Sequence, residues 1–245
     1  MQYVFPLRAE DWLPTLQDGT VDLILTDPPY FEITKEAWDN SWSSSSKFVD
    51  WFVSIFDMAL PKLAPKGSLV FFGGIGKHGS HPLFEIILRL ERSGYIFRNF
   101  VTWKKRRGYG KSHDYLYCRE EIVWMSRDEG RTDVNFNIPL TSELRGYGGF
   151  NKAYPAKSPY KRVSNVWDDI GELMRPERTA QKPVPLMKRL VETHSHVDQL
   201  IIDPFVGWGT TGLAALGSNR RFLGCEAIVQ DANDAEMRIH STLGI

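Results

Sequence analysis

The sequence predicts an α/β domain, a sheet covered by helices on both faces, and three observations carry that expectation. Short β-rich runs alternate with amphipathic stretches along the chain. Two of those runs stop abruptly at turn chemistry, Asp27-Pro28-Pro29-Tyr30 and Asp203-Pro204-Phe205-Val206-Gly207-Trp208-Gly209. The length of 245 residues, 42% of them hydrophobic, suits one core rather than two. A single domain over 1–245 follows, with no internal repeat.

In chain order, residues 3–7 read as a short strand and 10–16 as a short helix cut by Pro14. Residues 21–26 form an apolar strand that ends where two prolines can donate no ladder hydrogen bonds. Phe48, Phe52, Ile55, Phe56, Ala59 and Leu63 recur at helical spacing, predicting a helix over 47–63 after a Ser-rich stretch able to cap it. A buried strand at 68–72, a helix at 81–93 and strands at 95–103 and 120–125 come next, the last two as a long hairpin around a basic loop, 104–113. Composition then shifts. Between 128 and 176, Gly146, Gly148, Gly149, Pro139, Pro155 and Pro159 lie among aromatics and cations and predict an irregular insert. Helices at 184–193, 211–216 and 231–243 alternate with strands at 199–203 and 221–225 to close the chain.

Composition narrows the function classes. Two cysteines are too few for a disulfide scaffold, and the apolar content is too high for disorder. Residues 1–8 lack a basic region followed by a long apolar stretch, and no uncharged run approaches the roughly 18 residues of a membrane span, so an intracellular, cytoplasmic location away from the membrane is expected. Thirty Lys and Arg balance thirty Asp and Glu. A neutral chain does not coat nucleic acid indiscriminately, so any contact with it must be local.

The two strand ends carry the chemistry. In the segment from Asp203 to Thr211, glycines let backbone approach a ligand closely, and the following strand ends in Glu226, a carboxylate able to accept both hydroxyls of a ribose. A nucleoside-cofactor site is the reading; a tight strand-to-helix connection is the alternative. The spacing is not that of the dinucleotide fingerprint, and Gly73-Gly74-Ile75-Gly76-Lys77-His78 does not meet the P-loop pattern, so phosphate binding is disfavoured. At Asp27-Pro28-Pro29-Tyr30, a carboxylate and a proline carbonyl on a rigid turn offer two acceptors beside an aromatic face that can stack a planar ring. That suits an exocyclic amino group, the alternative being a turn that merely closes a strand.

Together these residues resemble the amino-group DNA methyltransferases, in the arrangement called beta, where the catalytic segment precedes the cofactor segment. Residues 16–24 look like the family's lead-in, Val101-Thr102-Trp103-Lys104 and Glu120-Glu121-Ile122-Val123-Trp124 like its later strand pair, Ala180-Gln181-Lys182-Pro183 like the helix start before the cofactor strand, and Gly224-Cys225-Glu226 like the acidic end of the next strand. The resemblance implies a permuted Rossmann-like fold with a seven-stranded mixed sheet, S-adenosylmethionine as methyl donor, and chain termini that are spatial neighbours. It implies Asp27, Pro28, Pro29 and Tyr30 as catalytic residues, with Phe31 a weaker stacking candidate. On the cofactor side it implies Asp203, Phe205, Gly207 and Gly209 around the methionine and ribose, Thr210 and Thr211 on the carboxylate, Glu226 on the ribose, and Gln181 and Lys182 near the amino-acid end. Two positions depart from the family pattern: Trp208 where a small residue is usual, and Arg8 where an aspartate near the adenine is common.

The chemistry implied is direct transfer. An aniline-like amino group is a poor nucleophile, and acceptors for its protons localise the lone pair. The base must leave the duplex first, at a cost of about a few kcal/mol. Carbon-5 cytosine methylation needs a thiolate after a proline, and neither Cys118 nor Cys225 follows one; both read as structural. Lys104, Lys105, Arg106, Arg107 and Lys111 form the densest positive cluster and predict phosphate contact, while Arg145, Lys152, Lys161 and Arg162, with Tyr147, Tyr154 and Tyr160, read as a recognition region. The short insert implies a short target sequence or a second subunit, so a homodimer is expected as possible. His194 and His196 lack metal-ligand spacing and read as exposed helix-end histidines; no metal is expected. The leading reading is a site-specific adenine-N6 methyltransferase acting on double-stranded DNA, in the restriction-modification setting of its family. Cytosine N4, RNA methylation and a noncatalytic DNA-binding relative stay open.

Overall fold

The computed structural model describes residues 1–31, 42–75, 81–110, 112–127, 134–145, 158–178 and 180–245. Ten strands and six helices follow in the order β1 (Val4–Phe5), α1 (Ala9–Trp12), β2 (Val21–Thr26), α2 (Ser45–Ala59), β3 (Leu63–Gly73), α3 (Pro82–Ser93), β4 (Ile96–Tyr109) and β5 (Tyr117–Ser126), then β6 (Leu140–Leu144), β7 (Tyr160–Arg162), β8 (Val166–Trp167), α4 (Val184–His194), β9 (Leu200–Asp203), α5 (Thr210–Leu216), β10 (Arg221–Cys225) and α6 (Val229–Leu243). Eight strands form one sheet in the order β1-β10-β9-β2-β3-β5-β4-β8, all neighbours parallel except the two pairings of β5. The expected seven becomes eight because Val166 and Trp167, inside the insert, add a two-residue strand beside Thr102 and Trp103.

Strand alternation decides which helix covers which face. Ile24, Leu69, Phe71 and Val123 point to α1, α2 and α3, while Leu23, Leu25, Val70, Phe72 and Ile122 point to α4, α5 and α6. On the first face Phe52, Phe56 and Phe71 pack ring on ring at 4.8 to 5.9 Å, and burying each such side chain contributes about 1.5–3 kcal/mol. Ser44 caps α2 by accepting from the Lys47 amide, and Pro61 turns the end of the expected helix into a 3-10 turn, Leu60–Lys62. Pro14 does the same after α1. Gly94, at φ 109°, closes α3 in the left-handed conformation that favours glycine.

The termini are neighbours, as the permutation requires. Strand β1 pairs with β10, and the Tyr3 and Val4 amides donate to the Glu236 carboxylate of α6 at 2.8–3.1 Å.

Two expectations are corrected. Residues 104–109 are not a loop: they continue β4, and β4 and β5 together run past the sheet, since Gly73, the last residue of β3, pairs with Glu121. The insert is not wholly irregular, because β6 and β7 form an antiparallel ribbon within it and β8 joins the main sheet. The insert's residues 128–133 and 146–157 lie outside the described residues. Among the described residues no helix is long and apolar enough to cross a membrane.

Candidate active site

Strands β2 and β9 lie side by side in the middle of the sheet, Ile24 opposite Ile202. Chain order runs outward from this pair in both directions, through β10 and β1 on one side and β3 on the other, which makes their carboxyl ends a topological switch point. Both turns singled out in the sequence leave the sheet at that crevice. They are tied together: Asp203 Oδ1 accepts from Thr26 Oγ1 at 2.6 Å and from the Phe205 amide at 2.9 Å, and Oδ2 accepts from Thr211 Oγ1 at 2.6 Å. Burial pushes the Asp203 carboxyl up to about 6 against these three donors.

The turn after β9 carries Gly207 at φ 51° and Gly209 at φ 77°. A Cβ on Gly207 would meet nothing within 4 Å, so the backbone there borders open space. Its amide donates to Glu226 Oε2 at 3.1 Å, and Glu226 Oε1 accepts from the Ile228 amide at 3.1 Å, which anchors that carboxylate beside the turn. Thr210 Oγ1 is buried without a hydrogen-bond partner among the described residues. An open glycine backbone, an anchored carboxylate and an orphaned hydroxyl fit a nucleoside bearing an amino-acid tail. Thr211 differs from expectation: its hydroxyl is committed to Asp203 and leaves Thr210 as the hydroxyl at the turn with capacity to spare. Phe205 packs edge-on against Trp51 at 5.7 Å, and Gln181 Oε1 accepts from the Glu177 amide at 2.9 Å.

At the end of β2, Asp27 Oδ1 accepts from the Tyr30 hydroxyl at 2.6 Å, and Oδ2 is hydrogen-bonded by the Lys182 ammonium. Pro28 is buried, and Pro29, Tyr30 and Phe31 line a small apolar cleft with Phe72 and Leu83. Lys182 is expected near the cofactor's amino-acid end; its ammonium is hydrogen-bonded to Asp27 Oδ2 and lies 5.7 Å from the Tyr30 ring centre and 4.8 Å from that of Phe72. A second carboxylate, Glu120 of β5, lies 3.3 Å from the same ammonium and is paired on its other oxygen with Lys105. Burial raises the Asp27 carboxyl above its ordinary range, only partly opposed by Lys182. Burial also raises Glu120, but Lys182 and Lys105 outweigh it and hold that carboxyl low. Burial would lower Lys182, but the two carboxylates outweigh it and keep it charged. Burial and the neighbouring Asp27 carboxylate push Tyr30 well up, so it stays a hydrogen-bond donor. Glu120 carried no assigned role in the sequence; the signal was the period of a strand, since Trp103 pairs with Glu120 and Lys105 shares the Trp103 face.

The same period divides the basic run. Lys104, Arg106 and Arg107 are exposed, whereas Lys105, expected on phosphate, turns inward to Glu120. From Trp103 onward the β4–β5 arm extends about 10 Å past the carboxyl edge of the sheet, from Glu120 to Tyr117 along β5, with β4 bulging between Lys104 and Tyr109, on the side of the two turns. Glu172 braces it by accepting from the Arg106 and Arg107 amides at 2.8 and 3.1 Å. Arg145, Lys161 and Arg162 come together around one concavity of the β6–β7 ribbon, with Lys161 paired to Glu143 at 2.7 Å. Lys111, Tyr147, Lys152 and Tyr154 lie outside the described residues.

His194 is not an exposed helix end. It is buried between Trp124 at 4.8 Å and Phe136 at 5.6 Å, and burial drives it down to about 3, so it is neutral. His196 is exposed. Cys225 is buried, donates to the Pro204 carbonyl, and is pushed up by burial, which fits a structural thiol.

Comparison with known proteins agrees with this layout. The N6/N4 DNA methylase family model matches residues 21–236. Type II methyltransferase M1.MboII of Moraxella bovis is 26% identical, over 95% of this chain and 94% of its own. A DNA modification methylase of Thermus thermophilus, TTHA0409, solved with S-adenosyl-L-methionine, superposes with a TM-score of 0.70 at 25% identity, covering 98% of this chain and 95% of that one. The cytosine-N4-specific PvuII DNA methyltransferase shares the fold, with a TM-score of 0.72 at 18% identity over 99% and 90% of the two chains. The chain therefore belongs to the N6-adenine and N4-cytosine DNA methyltransferase family, whose methyl donor is S-adenosylmethionine.

Proposed function

We propose that the chain methylates adenine N6 in double-stranded DNA, on a base turned out of the helix. The observation that carries this reading is the Asp27 carboxylate, held by Tyr30 and Lys182 at the switch point beside the glycine turn. Asp27 and the Pro28 carbonyl accept the two protons of the exocyclic amino group, which localises its lone pair. Tyr30 gives the base a stacking face, and its hydroxyl fixes one oxygen of Asp27. The Asp at the head of the segment favours adenine; a Ser there is the common cytosine-N4 form. When bound, S-adenosylmethionine supplies the methyl group from its sulfonium. Gly207, Gly209, Thr210 and Glu226 would hold it, with Phe205 and Gln181 bordering. No protein nucleophile is needed, and positioning supplies the acceleration.

Lys104, Arg106 and Arg107 on the arm, and Arg145, Lys161 and Arg162 on the ribbon, are the phosphate and recognition contacts in this reading. Incubation with labelled cofactor and unmodified DNA or RNA, followed by mass spectrometry of the nucleosides, tests it. N6-methyladenine in DNA is expected. N4-methylcytosine, product in RNA alone, or none at all would each overturn the assignment.

A further inference from the structure

Lys182 serves two buried carboxylates unequally. Its ammonium is hydrogen-bonded to Asp27 Oδ2, while Glu120 Oε2 is ion-paired with it at 3.3 Å, buried and without hydrogen-bond geometry among the described residues. The ammonium thus sits closer to Asp27 than to Glu120, and a small shift of Nζ would turn the Glu120 ion pair into a hydrogen bond. Glu120 is itself fixed, because its other oxygen is paired with Lys105 and its residue is held opposite Trp103 in the β4–β5 pairing. The side chain of Lys182 is 5% exposed, so no bulk water competes for its charge.

In the proposed reaction Asp27 must accept a hydrogen bond from the incoming amino N–H, and an ammonium on Oδ2 competes for that oxygen. We infer that Glu120 is a positioning residue that takes up the Lys182 ammonium as the target amino group arrives, freeing Asp27 Oδ2 to bond the amino proton. Lys182 stays charged throughout and moves between two acceptors. No proton changes hands in this step. Glu120 therefore acts through Lys182 and does not touch the base. This inference rests on Asp27 being the acceptor of the amino group.

The charged and titratable groups facing Asp27 are Tyr30 on its own segment, with Tyr117 of β5 acting on Tyr30, Lys182 before α4, Glu120 on β5, Lys105 on β4 through Glu120, and Asp203 after β9. Removing the Glu120 charge leaves Lys182 wholly on Asp27, which lowers the Asp27 carboxyl. Removing the Lys182 charge raises it.

The test is the pH profile of kcat for methyl transfer in the full chain with DNA and cofactor. Glu120→Gln should lower the plateau about tenfold with KM for both substrates unchanged, and move the acid limb about one pH unit down. Lys182→Met should move the limb up. Lys105→Met, at the outer end of the chain of charges, should move it up by less and reports even if Glu120→Gln fails to fold. An unmoved limb in both Glu120→Gln and Lys105→Met, or limbs moving the same way in Glu120→Gln and Lys182→Met, would overturn the inference. Asp27→Ala, which removes the acceptor altogether, separates the two readings: full activity there sinks Asp27 as acceptor and Glu120 with it. An inactive Asp27→Ala beside unmoved limbs in both Glu120→Gln and Lys105→Met sinks the positioning role alone.

Discussion

The hydroxyl of Thr26, at the end of β2, donates to Asp203 Oδ1, at the end of β9, across 2.6 Å in a buried setting. This bond joins the two turns at the crevice. It also fixes the consequence of the raised Asp203 carboxyl, pushed up to about 6 by burial. A carboxyl raised in the folded state adds stability that is present below its unfolded value and is lost as pH rises through about 6. Asp203→Asn has no such dependence. Between pH 4.5 and 7.5 the stability of the natural chain should fall relative to Asp203→Asn by about 2 kcal/mol in urea unfolding. A constant difference across that range would contradict the burial of a titrating Asp203.

His194 gives the opposite sign. Its imidazole is driven down to about 3 by burial among Trp124 and Phe136, so its contribution is present above the unfolded value and is lost as pH falls toward 3. His194→Phe keeps a ring in the aromatic cluster and removes the buried Nδ1 that has no hydrogen-bond partner among the described residues. At pH 5 the variant should gain about 2 kcal/mol relative to its effect at pH 8, read by thermal or denaturant unfolding. Equal effects at both pH values would mean that His194 is protonated without penalty.

These two groups mark what the sequence could and could not show. Both chemistry-bearing turns were legible because Asp-Pro-Pro-Tyr and the spaced glycines have backbone consequences independent of the rest of the fold. Their adjacency came with the permuted strand order, which only the resemblance supplied. Lys105 was misplaced because a cation in a linear sequence looks the same whether it faces phosphate or carboxylate. Strand pairing puts Glu120 opposite Trp103, on the face Lys105 shares, and so turns one lysine of a basic run inward. His194 was misread because its exposure depends on Trp124 and Phe136, distant in sequence.

The divided basic run makes a prediction for DNA binding. Lys104 and Arg107 are exposed on the arm, and Lys105 is spent on Glu120. The double variant Lys104→Ala/Arg107→Ala should reduce the slope of log affinity against log salt by about 2, with affinity weakened equally on any sequence. Lys105→Met should leave that slope unchanged. If Lys105→Met flattens the slope as much as a single change at Lys104 does, the inward orientation is wrong.

Trp208, the departure from the small residue usual in the family, has a structural role at the glycine turn. Its indole Nε1 donates to Glu177 at 2.8 Å, Arg178 lies 4.9 Å from the ring centre, and Arg238 lies 5.7 Å away while donating to the Trp208 carbonyl at 2.8 Å. Arg178 is held in turn by Asp231 and Asp234 of α6. The ring therefore clasps the segment carrying Gln181 and Lys182 against the glycine turn. A hydrogen bond and two partly exposed cation–π contacts are together worth about 2 kcal/mol. Trp208→Ala should release the segment and weaken S-adenosylmethionine binding about tenfold by calorimetry, with the melting temperature lowered only modestly. Glu177→Ala removes one of the three contacts and should give a smaller loss in the same direction. Unchanged cofactor affinity in Trp208→Ala would show that the clasp packs the surface without ordering the site.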